Sequence, residues 1–268
     1  MTSLLLLVGL AAAPPTDAAP VTPLSQAHAH NDYRHARPLV DALAHGFTSV
    51  EADIFLVAGK LLVGHDREEL RPERTLEALY LDPLRERVRQ NGGRVYPAGP
   101  VFTLLIDIKS DGEATYAALR EMLAKYDEIL SAVREGKVDE RAVTVVVSGN
   151  RARETIAAEK VRRAAIDGRL SDLDSALPAH LLPLISDNWR NHFTWRGDGP
   201  MAEAERRKLR GMVRKAHDKG RRVRFWATPE NRAVWRELVD AGVDLINTDD
   251  LAGLEDFLRQ GGSPGKQE

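Results

Sequence analysis

Short runs rich in Val, Ile and Leu alternate with amphipathic helical stretches along almost the whole chain, and few architectures accept that pattern. The apolar runs are residues 25–29, 48–55, 61–64, 102–108, 142–148, 164–169, 181–186, 222–227 and 245–248. Several are continuous rather than alternating, as strands covered on both faces should be. Between them the spacing predicts helices over residues 38–45, 76–90, 113–130, 151–160, 202–219, 230–241 and 251–259. Gly46, Gly220 and Gly242 follow three of these helices, where a left-handed C-terminal cap is expected. Alternation of this kind argues for a parallel sheet with helical crossovers, and its extent is that of a closed (β/α)8 barrel. The competing open, doubly wound sheet would carry a Gly-rich phosphate turn, and neither GxGxxG nor GxxxxGK[ST] occurs.

The two ends stand apart from this pattern. Leu4 to Ala13 has the length of a signal-peptide core and is followed by small residues through Ala19, without the usual basic flank. Residues 1–20 therefore read as a leader for export to the periplasm or beyond, residues 21–260 as one domain, and residues 261–268 as a frayed tail. No segment approaches the roughly 20 apolar residues that cross a bilayer. The formal charge of −2 offers no basic surface for nucleic acid. The chain has no cysteine, which excludes disulfides, zinc–thiolate centres and thiol nucleophiles.

Four short segments within the first 110 residues put ionisable groups at or near the ends of buried strands. They are His28-Ala-His30-Asn31-Asp-Tyr33, Glu51-Ala-Asp53, His65-Asp66 and Asp107-Ile-Lys109. Side chains two apart on a strand share a face, so Glu51 with Asp53, Asp107 with Lys109, and His28 with His30 each point one way. In a parallel barrel those strand ends gather at one mouth. Three carboxylates converging there would repel one another unless a cation sits among them or one takes up a proton. All-oxygen ligation by Glu51, Asp53 and Asp107 suits a hard divalent cation, Mg2+ or Ca2+. Two histidines beside it can remove and return protons, and Lys109 can hold a phosphate, a set of parts suited to cleaving a phosphodiester. His35, His45 and His217 sit among polar residues and read as solvated, whereas His180 and His192 occupy loops around later strands.

At these residues the chain resembles the phosphatidylinositol-phospholipase-C-like phosphodiesterases, which include glycerophosphodiester phosphodiesterases and sphingomyelinase D-type enzymes. Within them, His28 to Tyr33, Pro38 to Leu43, Gly46 to Asp53, Leu61 to Asp66, Arg74-Thr-Leu and Leu79 to Leu84 are similar to the altered inheritance of mitochondria protein 6 family. The likeness continues through Ser186 to Trp189, Phe225-Trp-Ala227 and Gly242 to Asp249. The resemblance implies a barrel in which His30 and His65 form the general acid–base pair and Glu51, Asp53 and Asp107 bind the metal. It implies phosphate or substrate contacts from Lys109, His28, Asn31 and Trp226, and a polar strand end at Asp249. His30 is preferred to His28 as the catalytic group because its spacing to Glu51 matches the sphingomyelinase D-like pattern, which leaves His28 as an inner neighbour that orients or polarises. The implied substrate is a small phosphodiester or lipid head group, attacked by a neighbouring hydroxyl to give a cyclic phosphate.

Two departures bear on the substrate. Glycerophosphodiesterases carry His-Arg-Gly where this chain has His30-Asn31-Asp32, which leaves Arg34 or Arg37 to replace the phosphate-binding arginine. Asp107 stands where many of them have Glu. Two alternatives remain open at this stage: an amidohydrolase- or polymerase-and-histidinol-phosphatase-like hydrolase with His28 and His30 as metal ligands, and a barrel that binds without catalysing.

Overall fold

The computed structural model describes residues 21–261, so the expected leader and, apart from Gly261, the expected tail lie outside the described residues. Eight parallel strands close into a barrel: β1 (Leu24–Ala29), β2 (Phe47–Val57), β4 (Phe102–Ile108), β7 (Val143–Gly149), β9 (Ala164–Gly168), β10 (Leu184–Asn188), β11 (Arg222–Trp226) and β12 (Leu245–Thr248). They follow one another around the barrel in chain order, and β1 pairs with both β2 and β12 to shut it. The helices are α1 (Val40–Ala44), α2 (Asp82–Gln90), α3 (Gly112–Ala124), α4 (Arg153–Ala158), α5 (Trp189–His192), α6 (Glu203–His217), α7 (Arg232–Asp240) and α8 (Leu251–Arg259). Gly46, Gly220 and Gly242 adopt φ of +82°, +67° and +81° at the expected helix ends.

Two apolar layers form from the alternation of the strands. The larger lies between barrel and helices; α8, for example, buries Leu251, Leu254, Phe257 and Leu258 at helical spacing. A smaller one inside the barrel joins Leu105, Val146, Ala165, Leu184 and Leu245, one from each of five strands. Above this plug the inward positions turn polar: His28, Glu51, Ser148, Asp167, Ser186, Arg224 and Asn247 are all buried. The barrel is therefore solid below and chemically equipped above.

Three elements differ from the sequence expectation. The run at 61–64 is β3 (Lys60–Val63), which is no barrel strand but folds back antiparallel on β2 through Ala58 and Gly59, both at positive φ. A two-residue turn of that conformation matches the twist of the paired strands. Second, β5 (Ala132–Arg134), β6 (Lys137–Asp139) and β8 (Val161–Arg162) form a small separate antiparallel sheet. Third, α3 ends at Ala124 rather than Leu130: Lys125 N and Tyr126 N donate three residues back, to Met122 O and Leu123 O, which tightens and closes the last turn, and Asp127 beyond it accepts hydrogen bonds from Arg134 and Arg163 beside that sheet.

Candidate active site

Strand register places the carboxylates together. Asp53 of β2 lies directly beside Asp107 of β4, and Glu51 shares the Asp53 face one pleat below. One ligand atom from each of the three falls within 4.8 Å of the others. Among the described residues no other group of histidine and carboxylate side chains gathers in this way, and this one contains no histidine. The alternative of a metal held by His28 and His30 therefore finds no support in the geometry.

The oxygens of the trio are unequally used. Asp53 Oδ2 faces the Tyr33 hydroxyl at 2.8 Å, His65 Nδ1 at 3.0 Å and Lys109 Nζ at 3.1 Å. Asp53 Oδ1 is buried without a hydrogen bond, and so is Asp107 Oδ1, which has only Lys109 Nζ at 3.3 Å. The Arg224 guanidinium and His28 Nε2 both meet Glu51 at Oε2. Burial pushes the Asp107 carboxyl up to about 6, against the pull of Lys109 and with the charges of Glu51 and Asp53 adding to the rise. Burial and Glu51 raise Asp53 as well. Glu51, although buried, is held well below the usual range by Arg224. Three carboxylates face two permanent cations, Lys109 and Arg224, so one negative charge is left over. Unpartnered carboxylate oxygens and a surplus negative charge are what an oxygen-ligated divalent cation requires, and the residues fit one.

The hairpin explains how His65 arrives. Gly64 N donates to Asp53 O at 3.1 Å as β3 ends, which brings His65 over the trio with 41% of its side chain exposed. His30 stands across the cavity at the end of β1, with Nδ1 2.8 Å from Asp249 Oδ1. Burial opposes the charged imidazole, but the bond to Asp249 and the charge of Glu51 outweigh it and raise the His30 pKa. In both histidines a carboxylate engages Nδ1, so Nε2 is the atom left for proton transfer. The cavity they share, about 260 Å³, is also lined by Asn31, Glu51, Asp107, Lys109, Ser148, Arg169, Arg224 and Trp226.

His28 does not reach that cavity. It is fully buried, and its Nδ1 lies 2.7 Å from the Ser49 hydroxyl while Nε2 lies 3.4 Å from Glu51. Glu51 can only accept, so the tautomer that satisfies both contacts carries its proton on Nε2. Burial and Arg224 lower the His28 pKa to about 3, which keeps the ring neutral. His28 is thus placed to orient Glu51 rather than to contact a phosphate. The two candidate substitute arginines are also displaced: Arg34 pairs with Glu69 at 3.8 Å and Arg37 with Asp41 at 2.7 Å, both on the outer surface. Arg224 and Arg169 line the cavity instead. His180 contacts Arg162 ahead of β10, and His192 faces Asp187 at 3.4 Å; neither lines the cavity. His45 and His217 are not simply solvated, since they pair with Glu255 and Asp244.

Comparison with known proteins identifies the family and the fold. Residues 17–166 match the model of the AIM6-like phosphodiesterase domain. The chain belongs to the AIM6-like phosphodiesterase family. Its residues 222–252 additionally match the glycerophosphoryl diester phosphodiesterase family. Altered inheritance of mitochondria protein 6 of Eremothecium gossypii is 31% identical over 87% of this chain and 69% of its own length. A homolog of that protein from Arthroderma benhamiae is 28% identical over 86% of this chain and 83% of its own. Among solved structures, a glycerophosphodiester phosphodiesterase from Agrobacterium tumefaciens matches with a TM-score of 0.53 at 18% identity, covering 89% of this chain and all of that one. A calcium-dependent phosphoinositol-specific phospholipase C from Pseudomonas matches with a TM-score of 0.56 at 12% identity, covering 85% and 89%. The two solved phosphodiesterases share the barrel, and the stretch of this chain that matches the AIM6-like domain, residues 17–166, includes Glu51, Asp53, Asp107 and both candidate histidines.

Proposed function

We propose that this protein is a metal-dependent phosphodiesterase that cleaves a small glycerophosphodiester or a phospholipid head group, exported from the cytoplasm by its N-terminal leader. One observation carries the reading: buried carboxylate oxygens of Asp53 and Asp107 that accept no hydrogen bond share a site with two histidines whose Nδ1 atoms are already tied to carboxylates. Glu51, Asp53 and Asp107 would hold Mg2+ or Ca2+. When bound, the cation supplies Lewis-acid stabilisation of charge growing on the phosphoryl oxygens. It also changes the surplus charge of the trio and its two cations from minus one to plus one, complementary to the single negative charge of a phosphodiester.

The protein's own groups then divide the work. Lys109, fixed by Asp53 and Asp107, faces the phosphate; burial works against its charge, but those two carboxylates raise its pKa and keep it protonated. Asn31 lines the same space, with its Oδ1 2.6 Å from the Tyr33 hydroxyl and its Nδ2 3.0 Å from His30 Nδ1. One of His30 and His65 takes the proton from the attacking hydroxyl, and the other returns one to the leaving oxygen, both through Nε2. Attack by a hydroxyl of the substrate itself gives a cyclic phosphate, which water can open by the same two proton transfers in reverse.

The test separates binding from turnover. His30→Ala and His65→Ala should each lower kcat on a phosphodiester substrate by about 100-fold or more, while calorimetric titration returns a cation affinity within a few-fold of the parent. Retained turnover in the His65→Ala protein would overturn the assignment.

A further inference from the structure

The turn that follows His30 is locked, and it sets a hydroxyl between the two histidines. Asn31 adopts a φ of +47°, a left-handed conformation that asparagine accepts more readily than most residues. It leads into a short helical turn, Asp32–Arg34. Arg34 N donates to Asn31 O at 2.8 Å, Leu39 N to Asp32 Oδ2 at 2.6 Å, and the Arg74 guanidinium to Tyr33 O. The Tyr33 side chain is buried, and its hydroxyl meets three others: the Asn31 amide at 2.6 Å, Asp53 Oδ2 at 2.8 Å and His65 Nδ1 at 3.3 Å. The other end of that amide lies 3.0 Å from His30 Nδ1, which is itself 2.8 Å from Asp249 Oδ1. Contacts therefore run without a break from Asp249 through His30, Asn31 and Tyr33 to Asp53 and His65.

Counting protons gives this chain a direction. An ionised carboxylate only accepts, so Asp249 takes the Nδ1 proton of His30, and Asp53 takes the Tyr33 hydroxyl proton and that of His65 Nδ1. Burial and the charge of Asp53 raise the Tyr33 pKa far above the usual range of a phenol, so the hydroxyl keeps its proton. With Asn31 Oδ1 toward Tyr33 and Nδ2 toward His30, two oxygens would meet with no proton between them and two N–H groups would point at each other. Turned over about its Cβ–Cγ bond, the same planar amide donates through Nδ2 to the Tyr33 oxygen and accepts at Oδ1 from His30, and no contact lacks a proton. We propose that Asn31 and Tyr33 are positioning residues that tie the two histidines into one directed hydrogen-bond chain through Asp53. The role rests on the phosphodiesterase reading. At either end an Nδ1 proton is held by a carboxylate, and the chain between them orients both rings together with Nε2 free for proton transfer. It also keeps Asp53 Oδ2 engaged, so that Oδ1 is the oxygen left for a cation.

The test joins a mutant cycle to a spectroscopic one. Tyr33→Phe deletes the hydroxyl and keeps the buried ring, and Asn31→Gly deletes the amide and keeps the left-handed backbone. At saturating Mg2+ or Ca2+ each should lower kcat on a phosphodiester substrate by about tenfold, with KM within about twofold of wild type. The double variant should be no more than about twofold slower than the worse single one, because either change breaks the same chain. In the metal-free protein at a single pH, Asn31→Gly should shift the nitrogen NMR resonances of the His65 ring, and should leave them unmoved when it is made in Tyr33→Phe. An unchanged kcat in Tyr33→Phe overturns the inference, since a tyrosine that served packing alone tolerates phenylalanine, and so do losses that multiply in the double variant. A His65 spectrum that ignores Asn31→Gly, or responds to it equally without the Tyr33 hydroxyl, overturns it as well. In each case turnover by wild type that is lost in His65→Ala leaves the phosphodiesterase reading standing. No turnover by wild type with either cation would instead count against that reading, and the proposed role would fall with it.

Discussion

Asp53 divides its oxygens between two tasks: Oδ2 gathers Tyr33, His65 and Lys109, and Oδ1 is left bare toward Asp107. That division was half legible in the sequence. Glu51, Asp53, Asp107, His30, His65 and Lys109 stand out because ionisable residues at strand ends break an apolar pattern. Arg224 and Arg169 did not, because an arginine in a short strand reads as an outward, solvated residue until its partner is known. For Arg224 that partner is Glu51, 173 positions away. Asp249 shows how a residue outside the cavity acts through another. Its contact with His30 Nδ1 fixes the tautomer, so Asp249→Ala should lower kcat by at least about tenfold with little change in KM, measured on the substrate used for the histidine variants. A pH effect belongs to Asp32, which is fully buried, accepts from Leu39 N at 2.6 Å and has its other oxygen unpartnered. Burial raises its pKa to about 6, opposed by the Leu39 bond. A raised carboxyl favours folding while protonated, and that contribution is lost as pH rises from about 4 through 6. Ionised Asp32 then costs up to about 3 kcal/mol. Asp32→Asn should therefore raise the urea midpoint at pH 7.5 relative to wild type, with the advantage shrinking toward pH 4.

At the scale of elements, turns decide where the chemistry goes. The β2–β3 hairpin carries His65 to Asp53, and the sequence expectation of a strand at 61–64 located the residues without the reversal that aims them. The missed three-stranded sheet had a signal as well: Glu135-Gly136, at φ of +50° and +78°, is a two-residue hairpin turn between Ala132–Arg134 and Lys137–Asp139. Strands of two or three residues have too few side chains for a period to appear. Gly149 ends β7 at φ +67°, and a Cβ there would run into Asp107 Oδ1 and the Ile108 backbone. Gly149→Ala should consequently weaken cation binding by tenfold or more in a calorimetric titration, beyond any loss of stability, because the displaced side chain is one of the three proposed ligands. Equal cation affinity in the folded variant would show that Asp107 is not needed in its present position.

At the scale of the molecule, the site exists only when the barrel is closed. Its cavity draws on β1, β2, β4, β7, β9 and β11, and Arg224 of β11 spans the interior to Glu51 of β2. The (β/α)8 expectation drew on the alternation, its extent, the missing phosphate turn and the family resemblance, and it holds in a closed barrel whose inward positions are apolar in the plug and polar above it. A cation that binds the closed barrel and not the unfolded chain stabilises by roughly 2.7 kcal/mol at a hundredfold excess over Kd. For a domain of this size that corresponds to a rise in Tm of roughly 5–10 °C, readable by calorimetry and expected to vanish in Asp53→Asn. The most direct test is the initial rate of hydrolysis of a glycerophosphodiester panel by chelator-stripped protein, followed as Mg2+ or Ca2+ is added back. The account predicts no turnover with chelator, a saturable rise with at least one cation, and no rise in His65→Ala. Turnover that is equal with and without chelator, or absent with both cations across the panel, would contradict it.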